Sequence, residues 1–140
     1  MIYDYDNDTE VINAKGTFLW GKNVKITVFI DESKPQNTTF NAYFPKGKWY
    51  DYEGHSWFTN TVGKNISLKS GYDYTHVHFK GGSIIPTQDS SKAKNTNDLL
   101  TLPMRYIVFA NAFGAAEGSV FLADGKVEDE TIQYYKLRYS

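Results

Sequence analysis

Short segments with the two-residue period of a β-strand run through almost the whole chain, and they limit the fold more than any other feature. Val24 to Ile30 (V-K-I-T-V-F-I) alternates four aliphatic residues on one face with Lys25, Thr27 and Phe29 on the other. Turn residues separate such segments at intervals of about 8–12 residues, as in antiparallel sandwiches and barrels. We therefore predict an all-β fold, an antiparallel β-sandwich. Further strands are predicted at residues 39–44, 49–52, 65–68, 75–79, 83–85, 104–110 and 131–139, with a hairpin at residues 119–127.

A polar stretch interrupts this pattern between residues 87 and 98 (T-Q-D-S-S-K-A-K-N-T-N-D). It has no periodic apolar face, so we expect a linker or long surface loop and no helix. The strands beyond it include a hairpin turned by Asp124-Gly125, a pair that suits a type I′ turn. Because so few strands cannot cover their own hydrophobic faces, we expect a partial second β-domain at the C-terminus.

Composition excludes several classes of function. The net charge of -1 and the pI of about 6.3 give no electrostatic basis for binding nucleic acid or an anionic membrane. No apolar run approaches the length of roughly 18 residues that a membrane span needs. The absence of cysteine excludes a thiolate metal site, a cysteine nucleophile and a disulfide framework.

Three N-glycosylation sequons, at Asn7, Asn37 and Asn65, favour the secretory pathway: the lysosome, the endoplasmic reticulum lumen or the cell exterior. The start of the chain (M-I-Y-D-Y-D) has neither the basic region nor the apolar region of a signal peptide. We therefore expect the chain to belong to a longer precursor, or Met1 not to be the natural start.

Two groups of residues imitate metal sites without completing them. Asp4 to Asp8 places aspartates at alternate positions, as a calcium loop begins, but Lys15 stands where the bidentate Glu belongs. His76 and His78 point the same way from one strand, with no third zinc ligand evident. We assign no metal and no cofactor.

The middle of the chain carries two more specific motifs, A-Y-F-P…W-Y-D-Y (residues 42–45 and 49–52) and H-F-K-G-G-S-I-I-P-T-Q (residues 78–88). They resemble A-Y-F-P…W-Y-D-Y and L-H-V-R-G-G-x-I-x-P-x-Q of glycoside hydrolase family 31, the α-glucosidase family. T-F-L-W-G (residues 17–21) is similar to the family's Q-F-L-W-G before the last barrel strand. Residues 115–121 resemble the hairpin that opens its distal C-terminal domain. The resemblance covers most of the chain.

The chain departs from the family pattern at residues 24–30, where the family has its last barrel strand. Lys25 occupies an apolar position, and Val28 stands where a proline is common. A strand carrying Lys25 fits poorly inside a closed barrel.

The resemblance implies a division into domains. Residues 1–30 would be a lead-in like the end of a catalytic barrel, 31–88 the proximal β-sandwich, 89–103 a linker, and 104–140 a partial distal β-domain.

The implied function is that of a non-catalytic C-terminal segment of an α-glucosidase. Its partner would be a catalytic barrel or a larger assembly, and hydrolysis of terminal α-glucosides would belong to the assembled enzyme. The alternatives are a stand-alone carbohydrate- or protein-binding module, or a structural subunit derived from this family.

The chain offers few candidates for catalysis. Retaining glycosidases need two carboxyl groups about 5–5.5 Å apart, and the family's pair lies upstream of the matching segment. The remaining pairs, Asp51 with Glu53 and the acidic run Glu128 to Glu130, have the character of surface charge. We assign no catalytic residue and leave open whether the chain is an enzyme.

A cluster of aromatic residues between positions 49 and 74 has two interpretations. Aromatic faces stack on sugar rings, so the cluster is a candidate glycan surface. Alternatively, the rings form the sandwich core and the face that docks on the barrel, which is the reading favoured by the dominance of aromatics in small β-cores. The candidate stacking residues are Trp49, Tyr52, Trp57 and Tyr72.

Overall fold

The structure is a computed structural model that describes residues 1–30, 33, 37–71, 73, 75–122 and 133–140. It contains two compact units, residues 1–81 and 82–140, each with its own sheets. Strands dominate both units, which confirms the all-β class. The boundary between the two units falls between the motif glycines Gly81 and Gly82.

The first unit consists of two antiparallel sheets preceded by short helical turns. A five-stranded sheet has the order β1-β2-β7-β4-β5, and β3 and β6 form a two-stranded ribbon. The helical turns are a 3-10 turn at Ile2–Asp4 and helix α1 (Glu10–Asn13); the strands are β1 (Thr17–Trp20), β2 (Val24–Thr27), β3 (Thr39–Phe44), β4 (Gly47–Asp51), β5 (Trp57–Asn60), β6 (Lys64–Lys69) and β7 (His76–Lys80).

The core of this unit lies between the ribbon and the five-stranded sheet. Phe44 of β3 packs edge-on against Trp49 of β4 and Phe58 of β5, with ring centroids 5.7 and 5.1 Å away. Trp49 is fully buried, and its Nε1 donates a hydrogen bond of 3.0 Å to the Pro45 carbonyl oxygen. Two sheets closed over an aromatic core form the predicted antiparallel sandwich.

Residues 24–30, which begin with strand β2, have one aliphatic face and one more polar face, and the more polar face is the buried one. Lys25 and Thr27 have no exposed surface and Phe29 is buried, while Ile30 is 56% exposed. The reason is the position of β2 between β1 and β7, where Lys25 pairs with His78 and faces the Phe44 ring. Alternation correctly grouped the residues into two faces but did not tell which of them the second sheet would cover.

The second unit is a four-stranded sheet of order β11-β10-β8-β9. Its pairs are antiparallel except for β8 and β10, which join in parallel where Glu117 aligns with Ser83. The predicted turn at Asp124-Gly125 lies outside the described residues. The elements are β8 (Ser83–Gln88), a 3-10 turn at Ser90–Lys92, α2 (Thr96–Leu99), β9 (Met104–Phe109), β10 (Ala116–Leu122) and β11 (Gln133–Tyr139).

The polar segment after β8 contains helical turns, contrary to the expectation of no helix. The Asp89 side chain accepts the Ser91 amide at 3.1 Å and caps the 3-10 turn. Asn95 caps α2 by accepting the amides of Asn97 and Asp98. Such polar side chains form helix caps as readily as they form loops, so single helical turns need no apolar face.

Candidate functional site

The carboxylates of Asp51 and Glu53, at the end of β4 and just after it, belong to a turn. Asp51 accepts the backbone amide of Glu53 through its Oδ1 atom at 3.1 Å, and Glu53 is exposed. Asp51 thus acts as an Asx-type turn residue. The second acidic group, Glu128 to Glu130, lies outside the described residues.

The N-terminal aspartates are also engaged within the fold. Both carboxylate oxygens of Asp8 lie 2.7 Å from the hydroxyl of Tyr43, which donates to them. Asp6 accepts a hydrogen bond of 3.0 Å from the Asn7 amide group. Over the described ranges, no three His, Asp or Glu side chains come together where they could hold a metal ion.

A lysine buried in the core is the most unusual feature of the first unit. The Lys25 Nζ atom donates to the Thr27 hydroxyl at 2.6 Å and lies 3.9 Å from the Phe44 ring centroid. Thr27 is also 3.1 Å from the hydroxyl of Thr17. Burial lowers the pKa of Lys25 to about 7. The attraction to the ring favours the charged form by about 2 kcal/mol, which is less than the desolvation that opposes it.

His78 lies beside this lysine in the same core. It is 1% exposed, and its ring centroid lies 4.7 Å from that of Phe44 and 6.2 Å from that of Phe58. Among the described residues, none hydrogen-bonds its Nδ1 atom. Burial lowers the pKa of His78 to about 4, against an opposing effect of Asp51. Its imidazole is therefore neutral near pH 7.

We expect this histidine to make the first unit sensitive to acid. The folded pKa of about 4 lies below the unfolded value of 6.5. Between these values the unfolded chain binds the extra proton, so stability falls as the pH falls from 6.5 towards 4. The loss is roughly 2 kcal/mol between pH 7 and pH 5. Urea unfolding at a series of pH values measures it.

The variant His78→Leu should remove most of that pH dependence. His55→Asn is the matched control, because His55 is exposed and its φ of 48° suits asparagine. If the acid sensitivity is as large in His78→Leu as in the parent, another group causes it.

The predicted stacking residues separate into buried and exposed ones. Trp49 belongs to the core and presents no face to a sugar, whereas Trp57 is 61% and Tyr52 is 53% exposed. The Lys48 ammonium lies 4.5 Å from the Trp57 ring centroid and 4.9 Å from that of Tyr50. Tyr72 lies outside the described residues. Among the three candidates that the structure describes, Tyr52 and Trp57 are exposed.

The three sequon asparagines are all exposed. Asn7 lies in a turn, and Asn37 has a left-handed backbone with a φ of 60°. Asn65 lies on β6, directly opposite Tyr43 of β3.

A polar cleft of about 280 Å³ lies on the outer face of the ribbon beside α1. Tyr43 contributes an aromatic ring to its lining, and burial together with the Asp8 carboxylate raises the pKa of this phenol to about 12. The sequence did not indicate the cleft because its residues come from α1, the two residues after it, β3 and β6, which come together only in the folded chain. The lining residues are Glu10, Asn13, Ala14, Lys15, Asn41, Tyr43 and Asn65.

Comparison with known proteins defines the class to which this sandwich belongs. The model of the glycosyl hydrolase family 31 C-terminal domain matches residues 1–85. The chain therefore belongs to glycosyl hydrolase family 31, as its motifs suggested.

Individual relatives share this segment. The chain is 32% identical to an alpha-glucosidase of Hordeum vulgare over 89% of its own length and 14% of the relative's. It is 31% identical to probable maltase-glucoamylase 2 of Homo sapiens over 92% of its length and 5% of that protein. The chain thus spans a small part of the curated relatives it matches.

A solved structure shows the same fold. The ER glucosidase II heterodimeric complex, consisting of a catalytic subunit and the binding domain of a regulatory subunit, contains a chain that matches with a TM-score of 0.81 at 16% identity. The match covers 100% of this chain and 15% of that one. In the part of the chain that the structure describes, no helix is long and apolar enough to cross a membrane.

Proposed function

We propose that this chain is the non-catalytic C-terminal β-sandwich segment of an α-glucosidase and supports a catalytic barrel that hydrolyses terminal α-glucosides. The observation that carries the proposal is the match of residues 1–85 to the family's C-terminal domain. The engagement of Asp51 in a turn supports it, because that carboxylate already has a structural task. In this proposal the chain contributes stability, and the partner contributes both catalytic carboxylates.

The domain assignment follows the same proposal. Residues 1–30 would lead in from the barrel, 31–88 would form the proximal sandwich, 89–103 would form the linker and 104–140 would form the start of a distal domain.

We also propose that the protein resides in the secretory pathway. The sequons at Asn7, Asn37 and Asn65 support this location, as does the likeness to a chain of an ER glucosidase.

A second candidate function is a stand-alone carbohydrate-binding module. The exposed rings of Trp57 and Tyr52 favour it, because exposed aromatic faces stack on sugars. The third possibility is a structural role within a larger complex of the same lineage. The experiment described next distinguishes these three functions.

Native mass spectrometry of the protein from its source, paired with a chromogenic α-glucoside assay, tests the proposal. We expect the chain within a larger polypeptide or complex that hydrolyses the substrate and is inhibited by a glucosidase inhibitor. A large complex without turnover would favour the structural role. A lone chain of 16.0 kDa that binds oligosaccharide without turnover would overturn the proposal in favour of the binding module.

A further inference from the structure

The polar cleft beside α1 combines three carboxamide side chains in a small volume. Asn41 and Asn65 lie on the outer face of the ribbon, and Asn13 ends α1. Asn65 and Tyr43 are direct cross-strand partners, which places their Cβ atoms about 4.5–5.5 Å apart. The volume of about 280 Å³ lies just below the range of about 300–1,000 Å³ for ligand pockets, so the cleft has room for a small ligand such as one sugar ring.

The fold holds the Tyr43 ring in place within this cleft. Its hydroxyl donates to both oxygens of Asp8, and the ring rests against Gly63. A Cβ atom at position 63 would collide with the Tyr43 hydroxyl and ring. Contacts with Asp8 and Gly63 therefore hold the Tyr43 ring in position, in a lining that also contains three carboxamides.

The chemistry of the lining selects a neutral ligand rich in hydroxyl groups. Each carboxamide both donates and accepts hydrogen bonds, as each sugar hydroxyl does. The charges of Glu10 and Lys15 cancel, so the cleft does not select for an anion or a cation. Ala14 is the one aliphatic lining residue, which leaves little to hold an apolar ligand.

Asn65 is also the acceptor residue of the sequon Asn65-Ile66-Ser67. We propose that Asn65 carries an N-linked glycan whose first sugar unit sits in this cleft, against Tyr43 and Asn41. The glycan then covers the outer face of the ribbon and stabilises the first unit. This inference rests on the proposed secretory location, but a secretion leader from another protein makes it testable independently of that location.

The experiment uses the full chain secreted from a eukaryotic host, with Thr9→Ala and Thr39→Ala removing the other two sequons. Glycopeptide mass spectrometry measures occupancy at Asn65. An endoglycosidase then trims the glycan to a single N-acetylglucosamine. We expect Asn65 to be occupied, and the trimmed form to unfold about 4 °C above the Ser67→Ala form, which keeps Asn65 but lacks the sequon.

Two further variants test the cleft itself. Asn41→Ala should abolish most of the rise in unfolding temperature caused by the sugar, while Asn97→Ala, an exposed asparagine on α2, should leave it unchanged. Each variant is compared with the same sequence made without N-glycans in a bacterial host, so any effect of the substitution on folding alone cancels.

Three outcomes would overturn the inference. The first is an unoccupied Asn65 in the secreted chain. The second is a stabilisation that survives Asn41→Ala in full, which would mean that the sugar points away from the cleft. The third is saturable binding of free N-acetylglucosamine to the unglycosylated chain, seen by NMR at Asn41 and Tyr43, with Asn65 unoccupied after secretion. That result would make the cleft a site for a free saccharide.

Discussion

The variant Lys25→Met is expected to be more stable than the parent chain by about 1–4 kcal/mol at pH 6, the range by which apolar replacements of buried ion pairs stabilise proteins. Lys25 is fully buried, and its hydrogen-bond partner is the Thr27 hydroxyl rather than a carboxylate. Methionine has a similar length and keeps contact with Phe44. Thr27 retains its neighbour Thr17, so the substitution leaves no orphaned hydroxyl.

The gain in stability from Lys25→Met should decrease as the pH rises above 7. The folded pKa of about 7 lies below the unfolded value of 10.5. Below pH 7 both states carry the proton, and the folded protein bears the full cost of burying it. Between these pKa values the folded state releases the proton and the parent recovers stability. The advantage of Lys25→Met should therefore shrink from pH 7 upwards and nearly vanish near pH 10.5.

Guanidinium unfolding of both proteins at pH 6, 8 and 10 measures this difference. Lys46→Met is the control, since Lys46 is exposed and should show little change at any pH. A stability difference that is equally large at pH 6 and pH 10 would mean that packing, not charge burial, explains the gain.

Replacing Trp49 with alanine is expected to destabilise the first unit by about 3–5 kcal/mol, enough to unfold a marginally stable domain. Trp49 is fully buried against Phe44, and alanine would leave a cavity and an unpaired Pro45 carbonyl oxygen. Trp57→Ala should cost roughly 1 kcal/mol or less, since that ring is 61% exposed and contacts Lys48 at its surface.

This matched pair of tryptophans also distinguishes the two interpretations of the aromatic cluster. Chemical denaturation followed by circular dichroism gives the stability of each variant, and an oligosaccharide titration gives its binding. Trp57→Ala with an intact fold and lost oligosaccharide binding would establish a sugar surface. A large loss of stability in Trp57→Ala would contradict the exposure of that ring in the structure.

The sequence predicted the strands better than it predicted which faces they bury. The strand at residues 39–44 has the bounds that were expected, because alternation and the following Pro45 both mark it. Strands β1 and β5 were missed, since neither T-F-L-W nor W-F-T-N alternates apolar with polar residues. The burial of Lys25 could not be foreseen, because it depends on a ring contributed by the other sheet.

For the candidate sites, too, the sequence did not show which residues are buried or which come together. The predicted stacking set mixed Trp49, a core residue, with the exposed Trp57, because two tryptophans eight positions apart look alike in a sequence. The cleft beside α1 gave no local signal, apart from the sequon at Asn65. Its residues become neighbours only when β3 pairs with β6 in register.

The single parallel pairing in the second unit has a consequence for how its sheet comes apart. β8 with β9 and β10 with β11 are two antiparallel hairpin-like pairs. One aligned position and the hydrogen bond from the Glu117 amide to the Gly82 carbonyl oxygen join them. Gly118 permits that approach, since a Cβ there would collide with the Ile84 carbonyl oxygen. A side chain at position 118 would meet the Ile84 carbonyl oxygen at this junction, so we expect it to weaken the join between the two strand pairs more than either pair itself.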